Sequence, residues 1–176
     1  MATKLDGVVR RSLAGFLDDI NASHWTGKRE REAISLYVLG HLQYEVDPSG
    51  PLRDATQIGI EVPVQQLEPE VQRRISGRRG KPKEDVAKDL VIWPKPRMTT
   101  WAKDGVARQV PLAIMEWKLG SLSPFEHDVA WLEEYSRRRA RFTGYAVSLA
   151  KRGEGFAASV ARVYKGARQP GWLVLD

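Results

Sequence analysis

The stretch VPLAIMEWKL, residues 110–119, decides how this chain is read. Its apolar run predicts a buried strand. Strand side chains alternate between faces, so Glu116 and Lys118 point one way while Met115, Trp117 and Leu119 point the other way and pack. Two charged groups thus emerge side by side from an otherwise apolar strand. That placement costs desolvation free energy unless something compensates it.

Upstream lies KDLVIW, residues 88–93, a short strand headed by Asp89 and ended by Pro94 and Pro96. A long hairpin-like connection follows, with Asp104-Gly105 as a turn signal. Asp89 and Glu116 therefore come from neighbouring strands. A hard divalent cation such as Mg²⁺ takes oxygen ligands, usually one or two carboxylates with waters and substrate phosphate. Asp89 and Glu116 are candidate metal ligands on that ground. Lys118 is the candidate to hold or polarise an attacking water and to neutralise phosphate charge. Metal-assisted phosphodiester hydrolysis is the expectation. The bland alternatives are a cross-strand ion pair or solvent-facing pair for Glu116 and Lys118, and a turn or cap role for Asp89.

Further out, residues 28–44 predict a helix with Ala33, Ile34, Tyr37, Val38, His41 and Leu42 on one stripe. Glu30 lies one turn before Ile34 on that side, and Glu32 leads a narrower stripe. Residues 5–20 predict a short first helix or arm, and 56–66 a strand that Pro63 assigns to an edge. A short helix is expected over 67–75. Residues 124–141 predict a second long helix, with Ser123 as cap, Pro124 in the first turn and Glu126 as capping-box partner. Val129, Leu132 and Tyr135 face inward. Strands are expected at 142–150, at 156–164 (a helix is the alternative there) and at 171–175. The order is helix, three strands, helix, strand, then more strands. It predicts an α/β sandwich around a mixed sheet. One domain spans 1–176, with 1–27 as the N-terminal helix or arm, 28–150 as the core and 151–176 as additional C-terminal strands.

Lys and Arg outnumber Asp and Glu by 28 to 22, a net charge of +6. That balance favours a polyanionic partner, nucleic acid before an anionic membrane. RRISGRRGKPK, residues 73–83, holds six basic side chains and no acid. Arg73, Arg74, Arg78, Arg79, Lys81 and Lys83 are thus candidate phosphate-backbone contacts leading directly to Asp89, with a solvated linker as the alternative. The spacing of a P-loop is absent. Trp93 and Trp101 flank the long connection and are candidate base-stacking rings, although packing suits Trp93 better. The chain has no Cys, which excludes disulfides, Cys-ligated zinc and thiol nucleophiles. His24, His41 and His127 lack zinc spacing, and no nucleophile elbow surrounds Ser121 or Ser123. Without a signal-peptide core or an apolar run of roughly 18 residues, the expectation is a cytoplasmic protein with no membrane span.

The ordered series of acid, strand, hairpin, strand ending in E-x-K, and long helix resembles the PD-(D/E)XK nuclease superfamily, which includes restriction endonucleases and archaeal-type Holliday junction resolvases. The resemblance rests on Asp89 in KDLVIW and on Glu116 with Lys118 in IMEWKL. Glu30-Arg31-Glu32-Ala33 also looks like the acidic start of the resolvase first helix. It covers roughly residues 28–150 in element order. Lys88 stands where the motif carries its proline. The resemblance implies a restriction-endonuclease-like αβββαβ core with a mixed sheet flanked by helices. It implies a Mg²⁺-dependent nuclease, with Mn²⁺ able to substitute, acting on DNA in preference to RNA. Asp89 and Glu116 would bind the metal with the Trp117 carbonyl as a further ligand. Lys118 would act on the water and the transition-state charge, and Glu30 on a metal-bound water or a second metal. The wider stripe favours Glu30 over Glu32. A homodimer is expected if both strands are cut. Two other readings stay open: a non-catalytic nucleic-acid-binding module, and an interaction domain with solvated charges.

Overall fold

The computed structural model of the chain describes residues 3–76 and 85–176. The first helix, α1 (Lys4–Ala22), is opened by a reciprocal cap. Asp6 N–H donates to the Thr3 hydroxyl, and the Asp6 carboxylate accepts from Thr3 N–H. Leu5, Val8, Val9, Leu13, Phe16, Leu17 and Ile20 bury one face of α1 in the larger core. Each such side chain contributes roughly 1.5–3 kcal/mol on full burial. Of the two expectations for this segment, helix or arm, the helix holds: α1 is a core helix. The second helix, α2 (Glu30–Gly40), buries the predicted stripe of Ala33, Ile34, Tyr37 and Val38. It is shorter than expected, because the chain leaves helical angles at His41 and continues as a 3₁₀ turn, Leu42–Glu45.

The sheet follows: β1 (Ile58–Gln65), then the short helix α3 (Pro69–Ser76), β2 (Asp85–Ile92) and β3 (Ala113–Leu119). Helix α4 (Glu126–Arg137) leads to β4 (Thr143–Arg152), β5 (Gly155–Tyr164) and β6 (Ala167–Leu175). These six strands lie side by side in chain order. β3 and β4 run parallel, and the other neighbours are antiparallel, so the sheet is mixed. β1 occupies an edge, where Pro63 can lack its N–H at least cost. Residues 156–164 are a strand, and the helical alternative is discarded. No helix among the described residues is long and apolar enough to cross a membrane.

Each face of the sheet has its own core. α1 and α2 cover one face, where Phe16 meets Tyr37 and Trp117 edge-on with ring centroids 5.8 Å apart in both pairs. α4 covers the other face with Val129, Trp131, Leu132 and Tyr135. The cap foreseen for α4 does not form. Its N-cap is Phe125, with no side-chain hydrogen bond. Ser121 and Ser123 instead close a local turn, the Ser121 hydroxyl accepting from Ser123 N–H at 3.0 Å and donating to Ser123 O at 3.1 Å. That turn ends the approach to the helix before Pro124 can enter it.

Gly144 on β4 lies under Leu132 of α4. A Cβ there would sit 3.0 Å from both Cβ and Cδ2 of Leu132. Gly144→Ala should push helix and sheet apart and cost about 1–3 kcal/mol. A lowered urea midpoint at unchanged slope is the expected readout.

Candidate functional site

A change of phase in two strands builds the site. On a regular strand, residues two apart share a face. On β1, Ile58 and Ile60 pack with the α1/α2 core, yet Val62 packs with the α4 core. The switch falls at Glu61, whose φ of 51° lies in the left-handed region. The Glu61 carboxylate meets Arg31 of α2 at 3.1 Å. The switch also puts Val62 on the side of Gly59, where a Cβ would lie 2.9 Å from Val62 Cγ1. β2 changes phase at the same level. Ile60 pairs with Leu90 and Val62 with Lys88, which sets Glu61 opposite Asp89. Leu90 and Ile92 pack with the α1/α2 core, while Val86 packs with the α4 core.

Lys88 is thereby turned toward α4. Its ammonium lies 3.8 Å from the centroid of the Trp131 ring and pairs with Glu116 Oε1. Lys88 is 5% exposed and Glu116 7% exposed. The residue that stands in place of the motif's proline is therefore a buried counter-ion, which strand alternation alone would have sent to the opposite face.

Asp89 and Glu116 come together. Asp89 Oδ2 accepts from Trp117 N–H at 2.8 Å, and Glu116 Oε2 faces Asp89 N–H at 3.4 Å. The two carboxyl groups act on each other's ionisation. Burial raises the pKa of Asp89, outweighing the Trp117 N–H bond that lowers it. Burial raises Glu116 further, to about 7, against the pull of Lys88 and with the push of the Asp89 and Asp128 charges.

Lys118 leaves β3 two residues later, half-buried, with its ammonium 3.9 Å from the Phe125 ring centroid. It forms no ion pair with a described carboxylate. Glu30, the first residue of α2, reaches the same strand end, and its Oε2 accepts from Leu119 N–H at 3.0 Å. Burial raises the pKa of Glu30; Asp89 and Asp128 push it the same way, and Lys118 opposes them. Glu32 is exposed and accepts instead from the Trp25 indole at 3.3 Å. The Trp117 ring turns away into the α1/α2 core. Asp89 and Glu116 thus meet between the antiparallel strands β2 and β3, just past the pair Leu90–Met115, while Lys118 and Glu30 lie at the carboxyl end of β3. Crevices at the carboxyl ends of strands are where open α/β sheets bind ligands.

Two neighbours were not foreseen. Asp128, in the first turn of α4, adds a further negative charge that acts on Glu30, Asp89 and Glu116. Its signal was weak: an acid three residues before the inward-facing Trp131. Ser148 pairs with Lys118 across the β3–β4 ladder, fully buried, and its hydroxyl has no hydrogen-bond partner among the described residues.

No group of three His, Asp or Glu side chains among the described residues is gathered tightly enough to hold a metal ion by itself. The donor set nevertheless suits a hard cation that keeps most of its waters, because such an ion needs only one or two carboxylates. Asp89 and Glu116 are two carboxylates whose mutual repulsion and burial a cation would relieve. Of the basic side chains in residues 73–83, only Arg73 and Arg74 fall among the described residues. Arg73 and Arg74 end α3 as exposed residues, and Arg74 is tied to Glu134 at 2.7 Å. Arg78, Arg79, Lys81 and Lys83 lie outside the described residues. Comparisons with protein-family models, curated proteins and solved structures gave no match.

Proposed function

We propose that the chain is a metal-dependent nuclease with a restriction-endonuclease-like core, cleaving phosphodiester bonds in DNA more readily than in RNA. The observation that carries this reading is the meeting of Asp89 and Glu116 between β2 and β3, with Lys118 two residues further along β3. Asp89 and Glu116 would hold Mg²⁺ or Mn²⁺, with the Trp117 carbonyl as a third donor. When bound, the cation would supply Lewis acidity toward phosphate oxygen and water. The chain's own contributions are then distinct. The Lys118 ammonium, free of any described carboxylate partner, neutralises charge gathering on the phosphate. Trp117 N–H fixes one oxygen of Asp89, and Lys88 fixes one oxygen of Glu116. Glu30 reaches the end of β3 from α2, close enough to feel the Asp89 charge, and would orient water there.

Metal titration with thermal unfolding tests the reading. The raised pKa of Glu116 means that the folded state keeps a proton which the unfolded chain releases at its ordinary value of 4.5. Without metal, this group's stabilising contribution is full below pH 4.5 and is lost as pH rises toward about 7, on the order of 3 kcal/mol. Mn²⁺ binding the ionised pair stabilises by mass action, in competition with that proton. The upward shift in Tm with Mn²⁺ should be larger above pH 7 than below it. An equal shift on both sides, or none, would remove Asp89 and Glu116 as the metal site.

A second reading is a non-catalytic nucleic-acid-binding module on the same fold. Lys88 favours it, because the chain already supplies a cation to Glu116. Metal-independent DNA binding without cleavage of duplex, junction, flap or single strand would select it.

A further inference from the structure

The connection between β2 and β3 carries a second candidate site. A cleft of ≈ 270 Å³ opens beside edge strand β1, walled by Gly59, Val62, Trp93, Met98, Thr100 and Trp101. Drug-sized ligands occupy clefts of roughly 300–1,000 Å³, so this one suits a single small planar group. Its two aromatic walls differ. Trp93 is buried and rigid in the α4 core, whereas Trp101 is 43% exposed at the mouth. An isolated Asp104-Gly105 turn presents Trp101, with Trp101 bridged to Ala107 across it.

The mouth is basic. Lys95, Arg97 and Lys103 are exposed on this connection, and its single acid, Asp104, is held by Arg108 at 2.7 Å. Arg97 adopts a φ of 57°, in the left-handed region that a long side chain rarely enters. The Thr56 hydroxyl accepts from Arg97 N–H at 3.2 Å and pins this backbone against the cleft wall. Val62 and Trp93 belong to the α4-side core, the face on which Glu116 meets Lys88 and Trp131. Trp93 stands four residues from Asp89 along β2, about 13 Å on strand geometry.

We propose that this cleft receives an unpaired nucleobase of a single-stranded nucleic acid, stacked on Trp101, with Lys95, Arg97 and Lys103 on the adjoining phosphates. Base–aromatic stacking accepts any base, because every base has a π-face, and the basic side chains of the same connection make the contact salt-dependent. The site deepens the nuclease reading, since it would favour substrates with an unpaired strand near the scissile bond. It stands on its own geometry and needs neither metal nor cleavage.

The test is fluorescence anisotropy of metal-free full-length protein with labelled single-stranded DNA, the same strand carrying abasic sites, and a blunt duplex. The single strand should bind more tightly than the other two. Trp101→Ala should weaken single-strand binding on the order of 5- to 100-fold, and Trp101→Phe should keep most of the affinity. Trp101 is exposed, so the variants should fold as the parent does. Equal binding of the base-bearing and abasic strands, or wild-type affinity in Trp101→Ala, would overturn the proposal. Absence of cleavage with a preserved Trp101 effect would defeat the nuclease reading alone.

Discussion

Asp89→Asn should abolish metal-dependent DNA cleavage, by about 10³-fold or more, while leaving the fold intact. Asparagine still offers an oxygen to Trp117 N–H, the bond that fixes Asp89 at 2.8 Å. It removes the negative charge that burial and the Asp128 charge disfavour. The variant should therefore unfold at the same temperature as the parent or somewhat above it. Inactivity together with equal or higher stability marks a residue kept for function at a cost in stability. Lys118→Met should likewise lose cleavage, on the order of 10²- to 10³-fold, and keep its fold, because its ammonium supports no described ion pair. The measurement is single-turnover cleavage of duplex, flap and junction DNA with Mg²⁺, beside circular dichroism melts. Wild-type cleavage in both variants would sink the assignment.

Arg162→Met should produce the largest loss of stability, about 3–5 kcal/mol. Arg162 is 1% exposed on β5, and its Nε donates to Asp6 Oδ1 at 2.8 Å. Tyr145 O–H donates to the same oxygen at 2.7 Å, and Asp6 also accepts from Thr3 N–H. Desolvation alone would raise the Asp6 pKa, but the bonds from Thr3, Arg162 and Tyr145 outweigh it and leave the pKa lowered. Its stabilising contribution is present above the ordinary value of 3.8 and is lost as pH falls through the depressed folded value. Removing the guanidinium strands a buried carboxylate, whereas removing both charges does not. The double variant Asp6→Asn/Arg162→Met, which removes both charges and keeps an oxygen for Thr3 N–H and Tyr145 O–H, should recover most of the loss in urea titrations. A single variant within 1 kcal/mol of wild type, beyond the usual error, would refute this account.

The element order was legible because it rests on periodicity. Four apolar positions of α2, the run from Ala113 to Met115 and the inward face of α4 all declare themselves. So did the joint face of Glu116 and Lys118, which needs only alternation along β3. The role of α1 was not legible, because Asp6 and Arg162 are 156 residues apart and neither carries a local sign of burial beside the other. The burial of Lys88 was not legible for a different reason. Alternation sends it to the face of Leu90, and only a non-glycine residue in the left-handed region, Glu61, coincides with the reversal. Ser148 and Asp128 join the cluster through the β3–β4 register and the seating of α4, which depend on tertiary packing.

The reversal at Glu61 and Asp89 has a mechanical consequence. The half of the β1–β2 ribbon before Glu61 and after Asp89 is gripped by both cores, Leu90 and Ile92 on one side and Val91 and Trp93 on the other. Val62, Val64 and Val86 rest on the α4 core alone, with Asp89 at the fulcrum. Loosening either core tilts the lever and carries the acid away from Glu116. Substitutions as distant as Phe16 or Leu132 would then register at the same carboxylate pair, from opposite sides of the sheet.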